Sequence, residues 1–237
     1  MTGFAALLEL QDHDTATDQL RHRRGRLAQR AALVEGQRAL SALAARRADL
    51  AVRREETSAR ETDLDTQLGT ITRRVSDIER RMYSGEVAAT RDLLAMSAEI
   101  ESLKARAATV EQDAMVVMEE AEVLDGEVAE VEAQAAVRDA EQLRLRNELA
   151  EAEGGVDAEL GEVAVQRAAA AATVPAEVLA LYERLRTELG GVGAARLVGV
   201  SCTGCHLTLP SSEVARIRRE PPGALVLCDQ CGRILVR

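Results

Sequence analysis

From Leu93 to Ala135 the sequence reads LLAMSAEIESLKARAATVEQDAMVVMEEAEVLDGEVAEVEAQA, and this stretch decides the fold. Apolar side chains recur in it at alternating steps of three and four residues, with mostly polar side chains between them. An average spacing of about 3.5 residues is the heptad pattern of a left-handed coiled coil, whose apolar stripe must pack against a partner helix. The stripe consists of Leu93, Met96, Ile100, Leu103, Ala107, Val110, Ala114, Val117, Ala121, Leu124, Val128, Val131 and Ala135.

A second apolar stripe precedes the first and is the natural partner for it. Its regular part comprises Leu64, Leu68, Ile71, Val75, Ile78 and Met82. Upstream the stripe is patchier, at Leu33, Leu40, Leu43 and Leu50, and Arg47 and Glu61 interrupt it.

The segment Tyr83-Ser84-Gly85-Glu86 separates the two stripes. Glycine there can adopt the left-handed conformation that ends a helix, and serine or threonine can cap the next helix. The sequence therefore predicts a mostly α protein with a long antiparallel coiled-coil hairpin over residues 1–173, whose tip lies near residues 83–87. Pairing Met82 with Leu93 means that the numbers of facing residues add to about 175.

Two features are expected near the base of the hairpin. The register places an arginine cluster opposite residues 145–154, where pairing with Glu148, Glu151 and Glu153 is favoured over RNA binding. Glycines at similar levels of the two arms, Gly25 and Gly154–Gly155, predict a kink. The cluster is Arg21, Arg23, Arg24, Arg26 and Arg30.

Proline ends the second arm at Val174–Pro175, because it lacks the helical hydrogen-bond donor and disfavours helix in the preceding residue. A short connecting helix is predicted within residues 174–191. Tyr182 lies on its apolar face and is expected to anchor the helix in a core.

Composition narrows the function classes. The 237 residues include one Phe, two Tyr and no Trp, whereas large rings usually dominate a compact core. This composition favours long helices over an enzyme with an enclosed pocket or a small-molecule substrate.

The charges are unevenly distributed along the chain. Residues 84–190 carry 24 acidic and 9 basic side chains, whereas residues 191–237 carry 3 acidic and 6 basic ones. Any contact with nucleic acid should therefore be confined to the C-terminal segment.

All four cysteines lie beyond residue 201, in the pairs Cys202-Thr-Gly-Cys205 and Cys228-Asp-Gln-Cys231. Two such knuckles supply the tetrahedral sulfur shell that one structural zinc ion accepts. A shell of four protein ligands leaves no position for a catalytic water, so no catalytic residue is expected. Disulfides, an iron centre and a redox CxxC remain as alternatives, although a reducing compartment disfavours disulfides and the redox motif needs a βαβ setting. His206 is surplus to the four thiols.

Short β-prone runs flank the knuckles, at 197–200, 225–227 and 234–236. Residues 192–237 are therefore predicted to form a small C-terminal zinc-ribbon β domain with hairpin strands. A helix starting near Pro210 should direct Arg216, Arg218 and Arg219 outward, and with Arg233 these are the candidate nucleic-acid contacts. A merely solvated basic face is the alternative, and the lack of interleaved aromatic residues argues against base-specific readout.

The first twenty residues contain four acidic side chains and no basic, apolar leader, and no apolar run approaches the length of a membrane span. A cytoplasmic protein without a membrane partner is expected.

Four segments resemble a bacterial family of C4-type zinc-ribbon proteins with a long N-terminal coiled-coil hairpin. They are residues 82–87 (MYSGEV), 100–104 (IESLK), 202–206 (CTGCH) and 231–235 (CGRIL). The resemblance implies a non-enzymatic protein that binds one zinc ion through Cys202, Cys205, Cys228 and Cys231 and contacts proteins or nucleic acids. Some relatives regulate flagellar transcription through an alternative sigma factor or serve secretion machinery.

The sequence thus predicts an adaptor: a coiled-coil hairpin for a protein partner and a zinc ribbon that contacts protein or nucleic acid. The alternative is a transcriptional or post-transcriptional regulator that binds RNA or DNA through the basic ribbon.

Overall fold

The computed structural model describes residues 5–87, 89–221 and 223–237, so the first four residues of the predicted hairpin lie outside it. Four helices come first in the chain, and a small sheet with one further helix follows them. In order, the elements are α1 (Ala5–Gly25), α2 (Ala28–Tyr83), α3 (Thr90–Ala172), α4 (Ala176–Glu188), β1 (Ala194–Val198), β2 (Ser201–Cys202), α5 (Ser211–Arg219) and β3 (Ile234–Val236). No helix in these ranges has both the length and the apolar character needed to cross a membrane.

Helices α2 and α3 confirm the predicted hairpin. All thirteen stripe residues of α3 are buried or half-buried, and Ile71 and Ile78 of α2 are buried with them. The reversal begins where α2 ends at Tyr83, and Gly85 has a φ of +80° there. The backbone N–H of Glu86 donates to the hydroxyl of Ser84 over 3.3 Å, so this serine stabilises the turn.

Contacts between the arms follow the predicted register closely. Gln142 donates from Nε2 to the carbonyl of Leu33 over 3.1 Å, and Arg74 pairs with Glu99 over 2.8 Å. Arginines reach acids about a turn away from the directly facing position, as in the 2.9 Å contact between Arg54 and Asp125. The reason is that an extended arginine side chain spans roughly one helical turn.

The arginine cluster pairs across the hairpin, as predicted, with the expected Glu153 and also with two acids further along α3. Arg24 contacts Asp157 over 2.8 Å, Arg30 contacts Glu153, and Arg23 contacts Glu159. Arg21 instead lies 3.7 Å from Asp18 on its own helix. The first arm breaks at Gly25, where α1 ends, whereas α3 continues through Gly154–Gly155 without interruption.

By its contacts the chain forms two compact units, one of Leu33–Arg144 and the other of the described residues up to Ala32 together with Leu145–Arg237. In the second unit, helices α1 and α4 and the small sheet share one core. Its largest fully buried side chain is Tyr182, which packs with Leu7 and Leu10 of α1 and with Ile234 of β3. Tyr182 is the core anchor that the sequence predicted.

The sheet has strand order β2-β1-β3, with β1 antiparallel to β2 and parallel to β3. Ile234 and Val236 face the helical core, whereas Leu235 between them faces a second core around Cys202 and Cys228. Of the predicted hairpin strands, only β1 and β2 therefore pair as an antiparallel hairpin. The segment 225–227 contributes a single bridge, between Leu227 and Ile234.

Candidate metal centre

The four cysteines converge. Their Sγ atoms all lie within 4.8 Å of one another, although Cys202 and Cys205 are separated from Cys228 and Cys231 by more than twenty residues. Cys202 and Cys228 are buried, and Cys205 and Cys231 are half-buried. Each pair begins at a tight turn: the N–H of His206 donates to the carbonyl of Cys202 over 2.9 Å, and that of Gly232 to Cys228 over 2.8 Å.

Backbone donors are directed at the buried sulfurs. Burial raises the pKa of the Cys202 thiol, and the N–H groups of Cys205 and Gly204 act against it. Burial likewise raises the pKa of the Cys228 thiol to about 12, against the N–H groups of Gln230 and Cys231. A central dication would deprotonate such thiols outright, and the N–H groups would then stabilise the thiolates. Donor type, number and separation fit one structural zinc ion in a closed tetrahedral shell.

Arg233 connects the metal centre to helix α4. Burial raises the pKa of the Cys231 thiol. Hydrogen bonds from the backbone and side chain of Arg233, and from other thiols, outweigh burial and lower that pKa to about 7. The same guanidinium donates to the carbonyl of Val192 over 2.9 Å and to that of Leu189, just beyond α4, over 3.1 Å. Arg233 is thus half-buried between the site and the helix, rather than directed outward.

The other candidate arginines lie on α5, whose Val214 and Ile217 are buried as expected. Arg216 pairs with Asp229 over 3.3 Å. Arg218 and Arg219 are exposed, and no ion pair engages them within the part of the chain that the structure describes. His206 is exposed, with a φ of 60°, and lies outside the four-thiol group.

Gln11 positions the start of the ribbon and Asp14 joins the helices beside it, and sequence reasoning missed both. Gln11 accepts from the N–H of Gly193 over 2.8 Å and donates to the carbonyl of Gly191 over 3.0 Å, so it fixes the start of β1. The available signal was their spacing, because residues 7, 10, 11 and 14 share one face of a helix.

Asp14 is 2% exposed and is contacted by three side chains, two of which donate hydrogen bonds to it. Arg167 donates to its Oδ1 over 2.7 Å, the hydroxyl of Tyr182 donates to its Oδ2 over 2.7 Å, and Arg186 lies 3.4 Å from Oδ2. The hydrogen bond to Asp14 raises the pKa of Arg167. The pKa of Tyr182 is raised chiefly by burial and further by its hydrogen bond to the Asp14 carboxylate. The network ties α1, α3 and α4 together.

A coiled-coil hairpin joined to a four-cysteine ribbon through a shared sheet defines a zinc-ribbon hairpin protein. A family model described as the CT398-like coiled coil hairpin domain matches residues 10–190, and one described as the C4-type zinc ribbon domain matches residues 201–235. The chain belongs to this CT398-like family.

Relatives share the whole length of the chain. Two strains of Mycobacterium tuberculosis contain an uncharacterised protein that is 30% identical over 232 residues, covering 98% of this chain and 94% of the relative. A solved Mycobacterium smegmatis structure matches with a TM-score of 0.88 at 24% identity, covering 99% of this chain and 97% of that one. The structure of CT398 from Chlamydia trachomatis matches with a TM-score of 0.71 at 17% identity, covering 98% and 96%. Both likenesses concern the fold.

Proposed function

We propose that this protein is a non-enzymatic cytoplasmic adaptor, whose coiled-coil hairpin contacts a protein partner and whose zinc ribbon contacts protein or nucleic acid. Its ligands for the single zinc ion are Cys202, Cys205, Cys228 and Cys231. The observation that carries the proposal is the sharing of β3 between two cores. A ribbon built into the hairpin base in this way holds a fixed orientation to α1 and α4, as a protein that joins two partners requires.

The chemistry of the site supports a structural role for the metal. Four thiolates fill a tetrahedral shell, so the ion has no position left for a water or a substrate. The reducing environment of the cytoplasm keeps such thiols available for zinc rather than for disulfides.

The adaptor role is tested in the native host with the full-length chain, carrying a photo-crosslinking residue at one exposed position at a time. Positions on α2 and α3 are expected to crosslink reproducibly to one protein, and positions on α5 to the same or a second macromolecule. Recovery of nucleic acid alone, or of no reproducible partner from the hairpin, would contradict the adaptor role.

The basic face of α5 favours nucleic acid as a second candidate ligand, because Arg218 and Arg219 are exposed without an ion pair in the described structure. If RNA or DNA binds there, log K falls linearly with log salt. Replacing Arg216, Arg218 and Arg219 by Ala should weaken binding across all sequences and flatten the salt slope by up to about three.

The matched control replaces three exposed arginines of α2, Arg73, Arg80 and Arg81, by Ala and is expected to leave the binding unchanged. The absence of RNA or DNA binding to the native chain at low salt would eliminate this candidate.

A further inference from the structure

The α2 stripe becomes polar in the middle of the hairpin. Between Leu50 and Leu64 the positions that face α3 hold Arg54, Thr57 and Glu61. Arg54 reaches Asp125 over 2.9 Å and Glu61 over 3.4 Å, and Thr57 is buried at 5% exposure. The stripe side chains of α3 at this level, Val117, Ala121 and Leu124, are nonetheless 2–5% exposed, so the apolar surface left uncovered lies beside the stripe, at Val116 and Val123.

A groove runs along the hairpin at this level. It consists of two adjoining cavities of about 490 and 530 Å³ that share Arg60 and Val116. It follows residues 53–64 of α2 and 113–124 of α3, which at about 1.5 Å per residue is a length of about 17 Å, or three helical turns. Val116 and Val123 line it and are 50% and 62% exposed, so they present apolar surface that nothing in the described structure covers.

The charges along the groove are predominantly negative. Its two arginines are Arg53 and Arg60, and the latter pairs with Glu120. No ion pair engages Glu56, Asp113 or Glu119 within the described residues. The carboxylates lining it are those of Glu56, Asp63, Asp113, Glu119 and Glu120. Excess negative charge beside exposed valines suits an occupant that is apolar on one face and basic at its flanks.

We propose that this groove binds an amphipathic helix of a partner protein, about three turns long, with apolar residues on Val116 and Val123 and Lys or Arg residues beside the carboxylates. Helices recognise such grooves through apolar side chains at positions i, i+3, i+4 and i+7. A second copy of this chain fits poorly, because the same excess of carboxylates would meet itself. The proposal rests on the adaptor function and names the surface and the partner chemistry that serve it.

The probe is a fluorescein-labelled 18-residue synthetic helix with Leu at the i, i+3, i+4 and i+7 positions and Lys elsewhere, measured by anisotropy against the full-length zinc-loaded protein. The test variant carries Val116→Gln and Val123→Gln. The matched control carries Met115→Gln and Met118→Gln, at positions of the same helix that are 63% and 56% exposed but do not line the groove. Circular dichroism verifies that both variants keep the helical content of the native chain.

The expected result is saturable binding that the Val116/Val123 variant weakens at least about tenfold and the Met115/Met118 variant leaves unchanged. A counterpart peptide with Glu in place of Lys should not bind. Equal weakening by both variants, equal binding of the Glu peptide, or no saturable binding would overturn the proposal. Crosslinking to the hairpin can identify a native partner. If the Val116/Val123 variant still binds that partner, the proposal that the groove is its binding site is contradicted, while the proposed adaptor function stands.

Discussion

A Cβ atom added to Gly204 would lie 2.5 Å from Cδ of Arg233, closer than two such atoms can approach. The side chain of Arg233 thus passes directly over the first knuckle on its way to the carbonyls beyond α4. The absence of a side chain at the third position of Cys202-Thr-Gly-Cys205 is what allows one arginine to connect both knuckles with the connecting helix.

Replacing Gly204 by Ala should displace Arg233 and weaken zinc retention. We expect chelator competition to show a loss of zinc affinity of about tenfold or more, since disturbing groups around metal ligands typically costs about 10–100-fold. Gly126→Ala on α3 is the control, because nothing lies within 4 Å of its added Cβ. That variant should keep native zinc affinity and gain slightly in helix stability. Equal zinc retention in both variants would show that Arg233 tolerates displacement.

Zinc removal should loosen the base of the hairpin as well as the ribbon. Ile234 and Val236 are 0% and 4% exposed and pack on Leu7 and Tyr182, so a ribbon that unfolds withdraws part of that core. Hydrogen exchange after chelation should rise in α1, α4 and residues 192–237. Leu33–Arg144 should keep its protection and most of the circular dichroism signal. Collapse of those long helices would contradict this division.

Replacing Asp14 by Asn should destabilise the protein, because Arg167 and Arg186 lose a buried anionic partner. Breaking a buried ion pair costs about 3–5 kcal/mol, and the lower end is expected here since Glu183 and Asp18 still contact the two arginines. Urea unfolding measures the change. Glu35→Gln is the control, because its contact with Arg38 is 3.5 Å long and mostly exposed, and no change is expected from it.

The free energy of unfolding should decrease at alkaline pH. Burial, with the nearby Asp14 carboxylate, raises the pKa of Tyr182 above its usual value of about 10. Above that pH the unfolded chain releases the Tyr182 proton while the folded chain retains it, so folding loses stability as pH rises. Tyr182→Phe should flatten this decrease in urea titrations between pH about 9 and about 11. Tyr83→Phe, at an 84% exposed position, should not.

The hairpin could be predicted from sequence because its information is local and repeated. Thirteen apolar positions from Leu93 to Ala135 fix which face of α3 is buried, and Gly85 between two stripes fixes where the chain reverses. The two CxxC pairs likewise bring their sulfurs together through tight turns whose spacing alone is diagnostic.

The base of the hairpin could not be predicted in the same way, because its contacts join distant segments without a repeating pattern. Nothing in the local sequence of β1 signals that Ala194 pairs in parallel with Ile234, forty residues later. The contacts of Arg233 could not be predicted for a related reason. Carbonyls left free just beyond α4 accept its guanidinium, and those acceptors become visible only once the helix and the knuckle are adjacent.

The alternation along β3 limits how this architecture can be recombined. Ile234 and Val236 belong to one core and Leu235 to the other. A ribbon transplanted to a different coiled coil would contain a strand that is apolar on both faces. The face that packs on the helical core would then be exposed and prone to aggregate. Gene fusions that preserve the ribbon must therefore include α1 as well as α4, although α2 and α3 separate α1 from the ribbon in the sequence.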